Sequence, residues 1–250
     1  MSSMISSFER GSLTAKHGFQ NEKEVADKFN NWRLDEDAQQ WLEVMNYNLE
    51  DIEYVKAVVL SGYKTDVQVQ VTIYLKNAID IRNLQVKLVS NMKGYNQIDK
   101  RWVDNYVELW DIPAEVSSIL RRYTGEQPPT IPNPRENKRM FADEFTITEK
   151  DIILKWLKKN QFMIVSDILK GRGEFAAEWI LVAQKVMHNA RWILKPMNYC
   201  LNFFGNGPVE ISNRGNFHIG RITMQRKGGD GGRKSANMLQ FKINPAELFE

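Results

Sequence analysis

Between Asn21 and Trp32 the apolar side chains Val25, Ala26, Phe29 and Trp32 recur at intervals of three and four. That spacing predicts an amphipathic helix with Asn21 as its N-cap and Glu22 on its polar face. Trp41, Leu42, Met45 and Leu49 predict a second helical stretch. The period then changes to two. In VKAVVLSGYKTDVQVQVTIYL the residues Val67, Val69, Val71, Ile73 and Leu75 alternate with Gln68, Gln70, Thr72 and Tyr74, the pattern of a strand with one buried face. A turn at Lys76, Asn77 and Ala78 leads into RNLQVKLVSN, where Leu84, Val86 and Leu88 face one way and Gln85, Lys87 and Val89 the other. These two strands are expected to pair as a hairpin.

Residues 98–123 read as mainly helical, and four of the chain's eight prolines then fall within positions 128–134. This segment reads as loop, because proline lacks a backbone donor and restricts the residue before it. TEKDIILKWLKKN, with Ile152, Ile153, Trp156 and Leu157, and GEFAAEWILVAQKVM, with Phe175, Trp179, Val182, Ala183 and Val186, both read as core-packing helices. Beyond Gly205, NFHIGRITMQRK and ANMLQFKI read as strands joined by the glycine-rich loop GGDGGRK. Strands between helical flanks and no internal repeat point to one α/β domain over residues 1–250, a mixed central sheet flanked by helices.

Composition narrows the class. With 42% hydrophobic, 26% charged and 11% aromatic residues, the chain is globular rather than disordered or collagen-like. It shows neither an N-terminal signal-like apolar core nor a membrane-length apolar run, so a cytoplasmic location is expected. One cysteine, Cys200, and three scattered histidines, His17, His188 and His218, provide no disulfide framework and no recurrent zinc set. The net charge of +3 hides an asymmetry: residues 1–60 hold six basic and eleven acidic side chains, whereas 212–242 hold seven basic and one acidic. The second stretch is either a solvated basic loop or a docking surface for a polyanion.

Candidate chemistry sits at the hairpin. Asp66 stands at the entrance of its first strand, and Gln85 and Lys87 share one face of the second, giving D-x(18)-Q-x-K. Phosphodiester hydrolysis calls for these residue types. Magnesium takes hard oxygen ligands, which Asp66, the Gln85 amide oxygen and the Val86 carbonyl provide. A lysine at position 87 orients or activates the attacking water and offsets charge on the phosphate. A plainer arrangement has Asp66 capping a turn and Gln85 and Lys87 on a solvated face. Lys87 interrupts an apolar run, however, and a buried lysine without a role is costly.

KHGFQNEKEVADKFNNW, VKAVVLSGYKTDVQVQV, LQVKLVSNMKGYNQIDK, GRGEFAAEWILVAQKV, NARWILK and MQRKGGDGGRKSANMLQFKI closely resemble the HinP-one-I-type restriction endonucleases. These are Type II enzymes of the PD-(D/E)XK superfamily that cut duplex DNA at GCGC. The resemblance runs from about Thr14 to nearly the C-terminus. It implies a mixed-sheet nuclease core, Mg2+ dependence, cleavage after the first G, and a partner methyltransferase in a restriction-modification system. Asp66, Gln85 and Lys87 match the metal ligand, second ligand and lysine. Gln85 replaces the usual acid, which removes one negative charge. Glu22 matches an accessory acid presented from an N-terminal helix, or else is an exposed first-turn acid complementing the helix dipole.

Two segments suit DNA contact, at about 91–101 and 212–242. In the first, Lys93, Tyr95, Asn96, Gln97 and Lys100 follow the catalytic strand; Gly94 permits close approach, Tyr95 is sized for a wedge between bases or for ordinary packing, and Gln97 for a base contact. In the second, Arg221, Gln225, Arg226, Lys227, Arg233 and Lys234 divide between guanine contacts and phosphate contacts. GRG at 171–173 reads as a turn, with phosphate binding as the alternative. A repair-type nuclease of the same superfamily and a non-catalytic DNA-binding protein are the competing functions. One chain holds one site, so a palindrome requires two chains or two successive nicks, leaving monomer and homodimer both open.

Overall fold

The computed structural model describes residues 7–60, 69–91, 94–186, 189–229 and 232–250. In chain order its helices are α1 (Ser7–Asn30), α2 (Glu36–Val44), α3 (Val103–Trp110), α4 (Ala114–Thr124), α5 (Ile147–Lys159), α6 (Gln161–Leu169) and α7 (Met197–Gly205). The strands are β1 (Ile52–Val59), β2 (Val69–Leu75), β3 (Ala78–Val89), β4 (Asn96–Arg101), β5 (Trp179–Val186), β6 (Asn189–Pro196), β7 (Val209–Ile211), β8 (Phe217–Ile219), β9 (Ile222–Arg226) and β10 (Leu239–Ile243). They fold into two compact units interleaved along the chain, one built from Ser12–Asn96, Leu169–Cys200 and Asn244–Glu250, the other mainly from Gln97–Ile168 and Leu201–Ile243.

The first unit carries a five-stranded sheet in the order β1-β2-β3-β5-β6. The expected hairpin is present: β2 and β3 run antiparallel, with Val69 opposite Leu84 and Leu75 opposite Ala78 across the Lys76–Asn77 connection. β3 and β5 are parallel, with Gln85 opposite Ile180 and Lys87 opposite Val182, and β5 and β6 return to antiparallel. The sheet is therefore mixed. Its helix-covered face holds Val25, Ala26 and Phe29 of α1 and Trp41 and Leu42 of α2 against Val69, Val71, Ile73, Leu84, Val86, Leu181 and Leu194. Trp41 lies 5.2 Å from Phe29 and 5.4 Å from Trp192, ring to ring. Edge strand β1 is closed by a side chain: Asn30 Nδ2 donates to the Ala57 carbonyl and Asn30 Oδ1 accepts from the Ala57 N–H. That mimicry of a neighbouring strand blunts an open edge.

In the second unit a sheet of order β4-β10-β9-β8-β7 packs its apolar face, Phe217, Ile219, Ile222, Met224, Leu239, Phe241 and Ile243, out of solvent. Tyr106 of α3 contributes rings stacked with Trp110 and edge-on to Phe241. α5 begins at Thr146, whose hydroxyl accepts from the Glu149 N–H while the Glu149 carboxylate accepts from Thr146, a reciprocal cap.

Three sequence expectations need correction. The stretch expected to be a helix around Phe175–Val186 is β5, a central strand in which Ile180, Leu181, Val182 and Ala183 are all fully buried. A strand covered on both faces buries consecutive residues, so it loses the period-two signal, and its apolar run happens to satisfy helical spacing. Residues 98–101, the beginning of the stretch expected to be helical, lie in strand β4 rather than in a helix. Helix α1 starts at Ser7, not at Asn21, and passes through Lys16, His17, Phe19 and Gln20, all exposed, which gives periodicity nothing to register upstream.

Candidate active site

The hairpin presents its chemistry on β3. Leu84 and Val86 turn into the core under α1, so alternation sends Gln85 and Lys87 to the opposite face. That face is not solvated. Gln85 is 2% exposed and Lys87 7%, at positions where β3 pairs with the central strand β5. The Gln85 side-chain oxygen, Oε1, is buried and accepts no hydrogen bond. An orphaned buried carbonyl costs about 1–3 kcal/mol, and its lone pairs suit a hard cation. Lys87 is held in the interior next to it along the strand, so the solvated-face alternative for both residues is removed.

Helix α1 brings up a third group. Val25 and Ala26 anchor the helix in the core, and Glu22 stands about one turn before them, half-buried. Burial pushes the Glu22 carboxyl above its ordinary range, and the positive charge of Lys87 opposes that rise. Since α1 begins at Ser7, Glu22 is far from the first turn, and the helix-dipole role does not apply to it. Its electrostatic partner is Lys87. Asn21, expected as a cap, is instead inside the helix, 3% exposed, with neither amide atom hydrogen-bonded. Its signal was in the sequence: Asn21 lies four residues before Val25 and eight before Phe29, on the apolar stripe.

Asp66 and Lys93 lie outside the described residues. Among the described residues no group of three His, Cys, Asp or Glu side chains could hold a metal ion; Gln85 and Lys87 share one face of β3, and Glu22 of α1 feels the charge of Lys87. Val86 shares β3 with them and pairs with Leu181.

The segment after β3 divides. Tyr95 is 57% exposed, which rules out ordinary core packing. Gly94 does not offer its backbone outward: at φ +69° a Cβ there would sit 2.0 Å from Asn244 Oδ1, so glycine is needed for an internal contact. Asn96 Nδ2 donates to the Gly94 carbonyl. Gln97 is exposed and Lys100 half-buried, both on β4. Within the basic segment Arg221 is exposed, its guanidinium 4.3 Å from the Phe203 ring. Gln225 and Lys227 are half-buried, and Arg233 and Lys234 exposed. Arg226 donates to Glu136 Oε1 at 3.1 Å and Asn237 Oδ1 at 2.7 Å, tying the residue after the proline-rich loop to β9.

Burial pushes the Cys200 thiol up to about 12, slightly offset by Lys195, so it is a small core residue. Gly171 and Gly173 have positive φ in a turn that precedes a single 3-10 turn, Gly173–Phe175. His17 is exposed, His188 lies outside the described residues, and His218 is half-buried in β8. Among the described residues no helix is long and apolar enough to cross a membrane.

Comparison with known proteins agrees with this geometry. No curated protein matches the chain significantly. Among solved structures, the crystal structure of restriction endonuclease MspI in complex with its cognate DNA superposes with a TM-score of 0.65 over 95% of this chain and 93% of that one, at 16% identity. At that identity the likeness concerns the fold, a mixed-sheet nuclease core. The R.HinP1I restriction endonuclease family matches residues 45–249, a span that contains β3, the segment after it and the basic stretch. The chain belongs to the R.HinP1I restriction endonuclease family of Type II site-specific deoxyribonucleases.

Proposed function

We propose that this protein makes Mg2+-dependent double-strand cuts at GCGC, after the first G, with Gln85, Asp66 and the Val86 carbonyl holding the metal, Glu22 as an accessory acid, and Lys87 at the attacking water. The observation that carries the reading is the buried, unpartnered Oε1 of Gln85 on the same strand face as buried Lys87. An oxygen kept dry and unbonded fits a hard divalent cation. Asp66 supplies the carboxylate that Gln85 lacks. When bound, the ion polarises the scissile phosphate and stabilises charge on its oxygens.

The chain's own groups have distinct tasks. Lys87, in a low-dielectric setting, donates to the attacking water or to a phosphate oxygen, where an ammonium acts more strongly than in bulk solvent. Glu22, its carboxyl raised by burial and lowered by Lys87, would orient a water by accepting a hydrogen bond from it. Tyr95, exposed beyond β3, wedges between bases, with Lys93, Asn96, Gln97 and Lys100 contacting the duplex beside it. Arg221, Lys227, Arg233 and Lys234 hold phosphates, and Gln225 reads a base. Arg226 belongs to the same basic segment, and its bonds to Glu136 and Asn237 support a part in shaping it. A four-base cutter needs a methyltransferase of the same specificity to protect its host's own sites.

Incubation of unmethylated plasmid with the protein in Mg2+ or in excess chelator, followed by sequencing of the fragment ends, tests the proposal. Discrete ends within GCGC that vanish in chelator and on methylated plasmid are expected. Cuts at another site would remove the target, and cuts in chelator would remove the metal.

A further inference from the structure

The C-terminal 3-10 turn, Pro245–Phe249, belongs to the first unit and meets it in two places. At its start Asn244 and Ala246 crowd Gly94 so closely that no Cβ fits there, directly before Tyr95. At its end the Phe249 ring lies 4.3 Å from the Arg191 guanidinium. Between these points Pro245 and Leu248 are buried, and the turn packs against β3, β5 and β6. Five residues of 3-10 helix rise about 10 Å, so Arg191 and the Tyr95 segment stand near each other on one side of the unit.

Register puts Arg191 on the catalytic face. Val89 pairs with Gln184, and Gln184 with Arg191; alternation along β3 gives Val89 the face of Gln85 and Lys87, and cross-strand partners point the same way. Two strand spacings across and two residues along separate Arg191 from Lys87 by about 12 Å, before the reach of either side chain is counted. Arg191 is exposed, on the edge strand β6. Its Nε donates to the Gln184 side-chain oxygen, and Phe249 covers one side of the guanidinium. Among the described residues no carboxylate pairs with it, and its Nη groups donate to no protein acceptor. An exposed cation–π contact is worth little, whereas fixing an arginine gives up much rotamer freedom. A held guanidinium with its fork unused is what bidentate recognition of a phosphate requires.

We propose that Arg191 holds a backbone phosphate of the duplex beside the scissile one, so that it positions the DNA over Gln85 and Lys87, with Gln184 and Phe249 keeping its guanidinium in place. The inference rests on the proposed DNA-cutting function and adds a contact outside both basic segments of the sequence. About 12 Å corresponds to no more than about four base-pair steps at 3.4 Å each, so one duplex reaches both Arg191 and Lys87. The C-terminal turn then supports two DNA-facing elements at once, the Tyr95 segment at its start and Arg191 at its end. A phosphate contact of this kind carries no sequence information and fixes where the strand lies.

Anisotropy of the full-length protein on a duplex carrying its cleavage site and on a scrambled duplex, across a salt series in chelator, tests this beside single-turnover cleavage in Mg2+. Arg191→Met should weaken binding to both duplexes alike, by about tenfold, and make the slope of log affinity against log salt shallower by about one. Cleavage at saturating enzyme should slow as well, at an unchanged cut position, and the melting temperature should hold because the side chain is exposed. Arg191→Lys keeps the charge but not the fork, so it should restore the salt slope and only part of the affinity. An unchanged affinity and slope in Arg191→Met would leave only a surface stack and overturn the assignment. A lowered melting temperature with an unchanged slope, or a loss confined to one base position, would overturn it too. If the unaltered protein neither binds nor cuts duplex DNA, the proposed function falls and this inference with it; binding and cutting that Arg191→Met leaves untouched remove this inference alone.

Discussion

Replacing Gln85 with methionine should make the metal-free protein more stable and the enzyme inactive. Gln85 Oε1 is buried and accepts no hydrogen bond, which costs about 1–3 kcal/mol. Methionine has nearly the same shape and removes that oxygen, so the substitution should gain about 1–2 kcal/mol in chelator. For a chain of this size that is a rise of roughly 2–8 °C in the melting midpoint. Metal should close most of that gap: a ligand that binds only the folded state at ten times its Kd stabilises by about 1.4 kcal/mol, and Gln85→Met forfeits this. The assay is thermal unfolding of both proteins with and without Mg2+, beside plasmid cleavage. A fall of more than about 1 kcal/mol in chelator would show that Oε1 has a protein partner, and an undiminished Mg2+ shift in the variant would show that the ion binds elsewhere. Either result refutes the reasoning.

Lys87→Met should reduce cleavage at least about 100-fold while leaving DNA binding in chelator intact, measured by single-turnover kinetics and anisotropy; it should also raise the Glu22 carboxyl pKa further, visible by NMR titration, because the charge that lowers it is gone. In the unaltered protein the raised Glu22 pKa means that its contribution favours the fold at pH below the ordinary carboxylate value and declines as pH rises through the folded one. Glu149 behaves oppositely: burial pushes it up, but the Thr146 N–H, Arg122 and the Thr146 hydroxyl outweigh that and leave it lowered. Its stabilisation is therefore present above the ordinary carboxylate pKa and lost as pH falls through the lowered one. Glu149→Gln should cost about 1 kcal/mol at neutral pH and nothing in strong acid, by chemical denaturation at both. Arg226→Met should lower stability by about 1–3 kcal/mol, since it leaves the Glu136 carboxylate without one of its cationic partners, and should leave the order of preference among DNA sequences unchanged in competition binding.

Much of the first unit was written in local pattern. The alternation of Val69, Val71 and Ile73 and the short Lys76–Asn77 connection determine a hairpin, and a lysine set within LQVKLVS already implies burial with a purpose. The nuclease family is legible too, because long colinear segments carry it. Several features were not local. The residues Trp179–Val186 become a strand by pairing between β3 and β6, and the burial of the consecutive Ile180, Leu181, Val182 and Ala183 is a tertiary condition that erases the two-residue period. Upstream of Asn21, α1 runs through exposed Lys16, His17, Phe19 and Gln20, where helix formation leaves no apolar stripe to read. Arg226 is indistinguishable from Arg221 in a charge count, and only the fold brings Glu136, ninety positions away, to its guanidinium. The sequence by itself determined which chemical groups the protein possesses and the periods that pair β2 with β3. The tertiary structure decided which of those groups are dry, unpartnered and on a common face, because burial and cross-strand register arise from contacts between segments that no local pattern connects.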